Sequence, residues 1–447
     1  MNLRPSLAER LRNVVSGGTV PPPLPVVSQR GPTVSRTAEV LGGRVVERRE
    51  GAVVVVDRHY SRDRSHGRKR IAEVVDALQE GHDALAALHR AWPSRLADVR
   101  SGQASRHEHA GIDRLLFLDI ETTGLAGGAG TQAFLIGCAV IQDDELLVRQ
   151  FLLPGFEHER ALLAELRDWA LQHGALVTFN GRTFDVPLIE TRYLFHRLDC
   201  PLTATPHIDM LHASRRLWKE RPAVAGPPLD DDSCKLSVLE RHLGGVHRVG
   251  DVPGFEIPSR FFRYVRDGDA FPLEAVMEHN RIDLISLALV AAHAVRLIEQ
   301  GPSATNNARE CLGLGRLYER ATMRDHAEAC YAHAAALAAR IGREPDVRAE
   351  ALRRLALCRR RTGRMIEAAQ AWNEIVSLPG CPSTFRREAR HALAVHHEHR
   401  SRDLRTARMF VLDTLAENPS ERWREEAKYR LARIDRKIGQ TAPLLLD

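Results

Sequence analysis

The chain has 447 residues, 44% apolar and 27% charged, a composition that suits two or three globular domains and excludes collagen-like, wholly disordered and disulfide-scaffold proteins. Its formal charge of +6 is too mild to argue by itself for a polyanionic partner. The charge is uneven along the chain: 18 basic against 12 acidic side chains in residues 1–110, 19 against 27 in 111–303, and 27 against 19 in 304–447. An acidic middle of −8 therefore lies between flanks of +6 and +8. Arginine outnumbers lysine 59 to 5, so plain compositional bias also fits the basic flanks.

The opening MNLRPSLAERLRNVV lacks the apolar core of a signal peptide. Pro21–Pro25 reads as a linker, residues 44–49 and 52–60 as a hairpin, and residues 71–90 as a helix. A polar stretch at 101–109 marks a boundary, giving a basic N-terminal region over 1–110. From Arg114 the pattern alternates. Strands are predicted at 115–119, 133–141 and Glu145–Leu152, a helix at 158–173, and a strand at 175–179. A helix at 185–196, a short strand at His207–Asp209 and a long helix at 273–297 complete an α/β domain over 111–303. Three consecutive strands followed by strand–helix units predict a mixed sheet with helices on its faces.

Residues 304–447 are helical throughout and weakly repetitive. Leu314-Gly315, Tyr318, Ala327, Tyr331 and Ala334 open a first copy of a helix–turn–helix template. Leu352, Leu355-Ala356, Gly363, Ala368 and Trp372 form a second, and Ala394, Ala407, Val411 and Pro419 a third. A terminal helix at 425–438 caps this tetratricopeptide-like, all-α region, and a generic helical bundle is the alternative. The longest apolar run, residues 284–295, is too short to cross a bilayer. Seven cysteines form no C-x-x-C pair, so neither zinc knuckle nor disulfide framework is expected. A cytoplasmic protein without membrane contact is predicted.

The chemistry concentrates in three places. In FLDIETTGLAGGAG, Asp119 and Glu121 alternate at the end of a buried strand and so share a face. Paired carboxylates there suit an oxygen-seeking divalent cation. Thr122, Thr123 and Gly124 let backbone N–H groups approach a substrate. In TFNGRTFDVPLI, Asn180 ends a strand and Asp185 begins a helix, where an N-cap role is the plain alternative. In HNRID, His279 and Asp283 stand four apart on one helix face. An Asp inside so apolar a helix is costly without a positive partner, and metal is one.

Together these stretches resemble the DEDD superfamily of 3′–5′ exonucleases, with Asp119 and Glu121 matching its first motif, Asp185 the second and Asp283 the third. The third motif departs from both known branches: one has Tyr with three intervening residues before the Asp, the other His with four, and this chain has His with three. A finer resemblance is to the bacterial YprB family, an RNase H-like domain followed by tetratricopeptide repeats. It rests on LDIETTGLAGGAGTQAFLIG, VTFNGRTFDVPLIETR, HIDMLHASRRLWK, DVPGFEIPSRFFRYVRDGD and HNRIDLISL.

The resemblance implies an α/β RNase H-like fold and two Mg²⁺ or Mn²⁺ ions held by Asp119, Glu121, Asp185 and Asp283. It implies hydrolysis from the 3′ end of single-stranded DNA or RNA. His279 is the candidate base, since imidazoles exchange protons near neutral pH. Asn180 and Lys235 are candidate substrate contacts, as are Arg182, Arg215, Arg216 and Lys219 for phosphates. Asp209 is a reserve carboxylate, most simply structural. His396, His397 and His399 read as helix residues rather than a zinc site. A structure-specific endonuclease and a non-catalytic scaffold that docks proteins on its repeats are the rival functions.

Overall fold

The computed structural model describes residues 33–81, 84, 114–124, 130–218, 234–342, 344–417 and 420–441. The Pro-rich linker, the 101–109 boundary, Lys219 and Pro419 lie outside these residues. Helix α1 (Val34–Val40) precedes strands β1 (Arg44–Arg48) and β2 (Gly51–Tyr60), the short pair β3 (Ser65–His66) and β4 (Lys69–Arg70), and helix α2 (Ile71–Glu80). Next come β5 (Leu115–Thr122), β6 (Ala133–Gln142), β7 (Glu145–Leu152), α3 (Glu159–Ala170), β8 (Ala175–Thr178) and α4 (Asp185–Phe195). Then follow β9 (His207–Asp209), α5 (Met210–Leu217), the single turn α6 (Leu236–Leu239), α7 (Ile257–Asp267) and α8 (Phe271–Gln300).

Seven strands form one sheet in the order β1-β2-β7-β6-β5-β8-β9. All its ladders are antiparallel except β5–β8 and β8–β9, which are parallel. Asp143 and Asp144, both at positive φ (51° and 64°), form the two-residue turn between β6 and β7; short acidic side chains tolerate that conformation, which matches the twist of a hairpin. The hairpin β1–β2, read from the sequence as part of a separate N-terminal region, pairs along β7 and widens this sheet. Its local pattern announces two strands but carries no sign of their third partner.

Covering both faces explains why β6 is buried along Ala133–Val140 rather than alternating. Along β5, Leu116, Leu118 and Ile120 face a core shared with α1, α3, α4, α7 and the first turns of α8. Leu115 and Phe117 face the other core, which is built from α2, α5 and the apolar later turns of α8. Helix α2 ends at Glu80, with Gly81 beside the Val295 side chain of α8, and nearly all of the rest of the predicted 71–90 helix lies outside the described residues.

The C-terminal region is helical: α9 (Ala308–Arg320), α10 (Arg324–Ile341), α11 (Pro345–Arg361), α12 (Met365–Ser377), α13 (Ser383–His396), α14 (Leu404–Ala416) and α15 (Glu421–Thr441). The first six make three successive helix–turn–helix pairs. Small residues let neighbouring helices close up: a Cβ on Gly315 would stand 2.5 Å from the Tyr331 ring. This array shares the second core rather than hanging from a linker. Trp218 Nε1 donates to Glu310 Oε1 at 2.6 Å, His293 Nε2 meets the same oxygen at 2.9 Å, and Gly313 lies against the Leu217 carbonyl.

Candidate active site

Strand alternation puts Asp119 and Glu121 on the same face as Phe117 and Leu115. Where the apolar core under that face ends, these carboxylates begin. Asp119 is in register with Gly137 of β6, which is in register with Gln150 of β7. Across this row the middle position has no side chain, and Asn280 of α8 fills the space. Asn280 Nδ2 donates to Asp119 Oδ2 at 2.8 Å, and its Oδ1 accepts from Gln150 Nε2 at 2.8 Å. Gln150 Nε2 also donates to the Met277 carbonyl at 2.8 Å, so α8 is fastened to the sheet beside Asp119.

Asp185 is the first residue of α4, just past the end of β8. The connecting turn passes through Asn180 at φ +66°, a left-handed conformation that Asn tolerates better than most residues. Asp209 clasps this turn, accepting from the backbone N–H of Asn180 (2.8 Å), Arg182 (3.2 Å) and Leu211 (3.0 Å). Its role is therefore structural: it caps α5 and fixes the approach to Asp185. Gly181 is needed there, because a Cβ would lie 2.7 Å from Asp185 Oδ2.

Asp283 and His279 project from one face of α8. His279 Nε2 stands 3.4 Å from Asp283 Oδ2 and 3.9 Å from Glu121 Oε1. Its Nδ1 meets Asp251 Oδ1 at 2.6 Å. Arg248 donates to Asp283, to both oxygens of Glu240 (2.6 and 2.8 Å) and to Asp251 (3.1 Å). Behind it, Ser286 donates its hydroxyl to Glu240 and meets His66 Nε2 at 2.8 Å.

Asp119 and Glu121 feel the charges of the other predicted carboxylates. Burial pushes Asp119 well above the usual carboxylate range, and the charges of Asp283, Glu121 and Asp185 push it further; the Asn280 hydrogen bond works the other way. Burial raises Glu121 likewise, helped by Asp283, Asp185 and Asp251. Asp185 is pushed up to about 7 by burial, with its own backbone N–H opposing and Asp209 adding. Burial also raises Asp283, against the pull of Arg248 and His279. Burial would raise Asp251 too, but the hydrogen bonds and charges of His279 and Arg248 hold it below its usual range. Carboxyls that raise one another are short of positive charge.

Hard oxygen donors in such a deficit fit a divalent cation. Among the described residues no group of three or more His, Cys, Asp or Glu side chains is already arranged to hold a metal ion. Asn280 takes one oxygen of Asp119, and Arg248 takes one of Asp283. His396, His397 and His399 form no such group either.

The predicted substrate contacts fall as follows. Thr123 brackets the end of β5, its N–H donating to the Gln132 carbonyl (2.9 Å) and its hydroxyl accepting from Gln132 N (3.0 Å). Thr122 donates its hydroxyl to the Gly124 carbonyl at 2.8 Å, next to a register shift between Glu121 and Thr122. Asn180 accepts from the Thr183 hydroxyl at 2.9 Å. Lys235 is exposed immediately before α6. Arg182 donates to the His207 carbonyl at 2.5 Å, while Arg215 and Arg216 are half-buried on α5. Sequence reading missed Gln150, Glu240, Arg248, Asp251 and Asn280. Only Asp251 and Asn280 carried a signal, since they lie in the motif-bearing stretches DVPGFEIPSRFFRYVRDGD and HNRIDLISL.

Residues 116–295 match the RNase H superfamily. A Bacillus subtilis (strain 168) protein described as uncharacterized protein YprB is 29% identical over 334 residues, spanning 73% of this chain and 76% of the relative. The mixed sheet with flanking helices is the RNase H-like fold that the match implies. Such a domain points to nucleic-acid binding and nuclease chemistry, generally supported by divalent metals. The chain thus carries an RNase H superfamily domain at residues 116–295 and is a distant homologue of YprB.

Proposed function

We propose that this chain is a two-metal-ion 3′–5′ exonuclease acting on single-stranded DNA or RNA. One observation carries the reading: four half-buried carboxylates stand on three elements, β5, α4 and α8, and the charges of Asp283 and Asp185 add to the upward push that burial gives Asp119 and Glu121, with Arg248 as the cation bonded to one of the four. Asp119, Glu121, Asp185 and Asp283 would hold two Mg²⁺ or Mn²⁺ ions. When bound, such ions offset the cluster's charge and polarise a phosphodiester.

The chain's own groups then have distinct tasks. His279 presents Nε2 to the carboxylates and accepts the proton of the attacking water as its oxygen bonds to phosphorus; the P–O3′ bond breaks, and the leaving oxygen is protonated by solvent. Thr122, Thr123 and Gly124 line the end of β5, where a terminal nucleotide would rest against the backbone. Asn180 flanks Asp185, and Lys235 supplies positive charge to a phosphate. The acidic middle of the chain leaves capture of a longer strand to the basic flanks, where salt weakens it.

The three C-terminal helix pairs support a tetratricopeptide-like reading, with protein docking as their task. All seven cysteines are free thiols, which supports a cytoplasmic setting. No helix of the described residues is long and apolar enough to cross a membrane.

The test uses 3′-labelled and 5′-labelled single strands with Mn²⁺. Stepwise shortening from the 3′ end is expected. A discrete internal cut would instead support the endonuclease, and no cleavage by the folded chain would support the scaffold.

A further inference from the structure

In the nuclease reading, His279 must aim Nε2 at the carboxylates. Its position on α8 supplies only part of this. One helical turn from Asp283, an imidazole is placed to lie along the helix as an i,i+4 partner of that carboxylate. The ring instead stands among three carboxylates: Asp251 is 2.6 Å from Nδ1, while Asp283 and Glu121 are 3.4 and 3.9 Å from Nε2. The shortest contact comes from outside the quartet, on the far side of the ring.

Asp251 is itself held in place. Its Oδ1 accepts from Val252 N at 2.9 Å and its Oδ2 from Arg248 at 3.1 Å. Arg248 is fixed in turn by two bonds to Glu240, which is 1% exposed and also bonded by Ser286. One short loop, residues 248–251, thereby reaches both His279 and Asp283. We propose that Asp251 is a positioning residue for His279. It accepts the Nδ1 proton, fixes the ring plane and turns Nε2 toward Glu121 and Asp283. A base held from behind by a third group is the arrangement that orients catalytic imidazoles elsewhere. It also accounts for a histidine serving with three intervening residues before the Asp: Asp251 supplies the restraint that spacing alone does not. The inference rests on the nuclease reading for its catalytic consequence, but the restraint itself is independent of it.

The experiment is carried out on the full chain with ¹⁵N-labelled histidine, the His279 ring signals being those missing from His279→Gln. In the wild type, Nδ1 is expected to carry a proton hydrogen-bonded to Asp251. Asp251→Asn should change that pattern, and Asp251→Glu should restore part of it. On a 3′-labelled single strand with Mn²⁺, Asp251→Asn should lower kcat by about 10–100-fold, as loss of an outer partner does, and leave KM unchanged. Should Asp251→Ala fail to fold by circular dichroism, the isosteric Asn variant decides. Unaltered His279 ring signals in Asp251→Asn would overturn the proposal, as would unaltered kcat where His279→Gln is impaired. If the wild type cleaves nothing, the nuclease reading falls, while the ring signals still decide whether Asp251 sets the imidazole.

Discussion

Replacing Gly137 by alanine tests how the sheet and α8 meet. Gly137 does not adopt positive φ, so alanine is acceptable to the backbone and only space is at issue. A Cβ there would stand 2.1 Å from Asn280 Oδ1, 2.8 Å from Asn280 Cγ and 2.7 Å from Leu284 Cδ1. Asn280 is fully buried and bonded on both sides, to Gln150 and Asp119, so it has no free rotamer into which to retreat. Overpacking costs about 1–3 kcal/mol. Losing the charge-assisted bond to Asp119 adds roughly 1.5–3 kcal/mol. Urea unfolding of the metal-free chain should therefore show a loss of roughly 2.5–6 kcal/mol. Cleavage should fall as well, because α8 carries His279 and Asp283. The partner variant separates causes: Asn280→Ala removes the 2.1 Å contact, so the double variant should be more stable than the sum of the two losses predicts. A Gly137→Ala chain within about 0.5 kcal/mol of wild type, the range of neutral surface changes, would refute this account of how α8 is seated.

Other expectations follow from charge and burial. Asp185 binds its proton more tightly folded than unfolded, its pKa being raised to about 7. The folded state thus loses stability as pH rises from about 4 to about 7. Asp185→Asn should accordingly raise the Tm of the metal-free chain at pH 8 and change it little at pH 4, measured by scanning calorimetry; an equal shift at both pH values refutes the argument. Mn²⁺ binding should release protons below pH 7, seen as a dependence of the calorimetric heat on buffer ionisation, and Asp119→Asn should abolish that binding. Arg248→Met leaves Glu240 and Asp283 without their guanidinium; a loss of about 3–5 kcal/mol is expected, and a loss under 1 kcal/mol in urea unfolding counts against the network. A chain ending at residue 303 exposes the core face that α9 and α10 cover, and should elute from size-exclusion chromatography as aggregate rather than monomer.

What could be read from the residues alone was local. Asp119 and Glu121 stand out because a buried strand ends in alternating carboxylates, and Asp283 because an apolar helix carries an unexplained charge. The residues that organise these groups are invisible at that range. Asn280 matters because Gln150, Gly137 and Asp119 line up across three strands, a register that no single segment displays. Arg248 and Asp251 sit in a loop whose importance arises only where it meets α8. The hairpin β1–β2 reads correctly as two strands, yet its sheet is chosen by a ladder to β7, which lies far along the chain. The weak repetition after residue 304 points to paired helices, but the bond from Trp218 to Glu310 that ties them to the domain spans 92 positions.

That ladder has a consequence for the chain as it is made. Tyr60 pairs with Leu146 and Val54 with Leu152. At 5–20 residues per second, roughly 4–17 s of synthesis separate residue 60 from residue 146. Throughout that interval the buried run Val53–Val56 has only β1 beside it, and its other edge is open to any strand it meets. Such an open edge is a template for pairing with another strand, and the charges at Arg48, Arg49, Asp57 and Arg58 stand on either side of it as gatekeepers against self-association. The emergence of β7 ends the exposure, so the sheet that carries the carboxylates is completed from a strand already waiting.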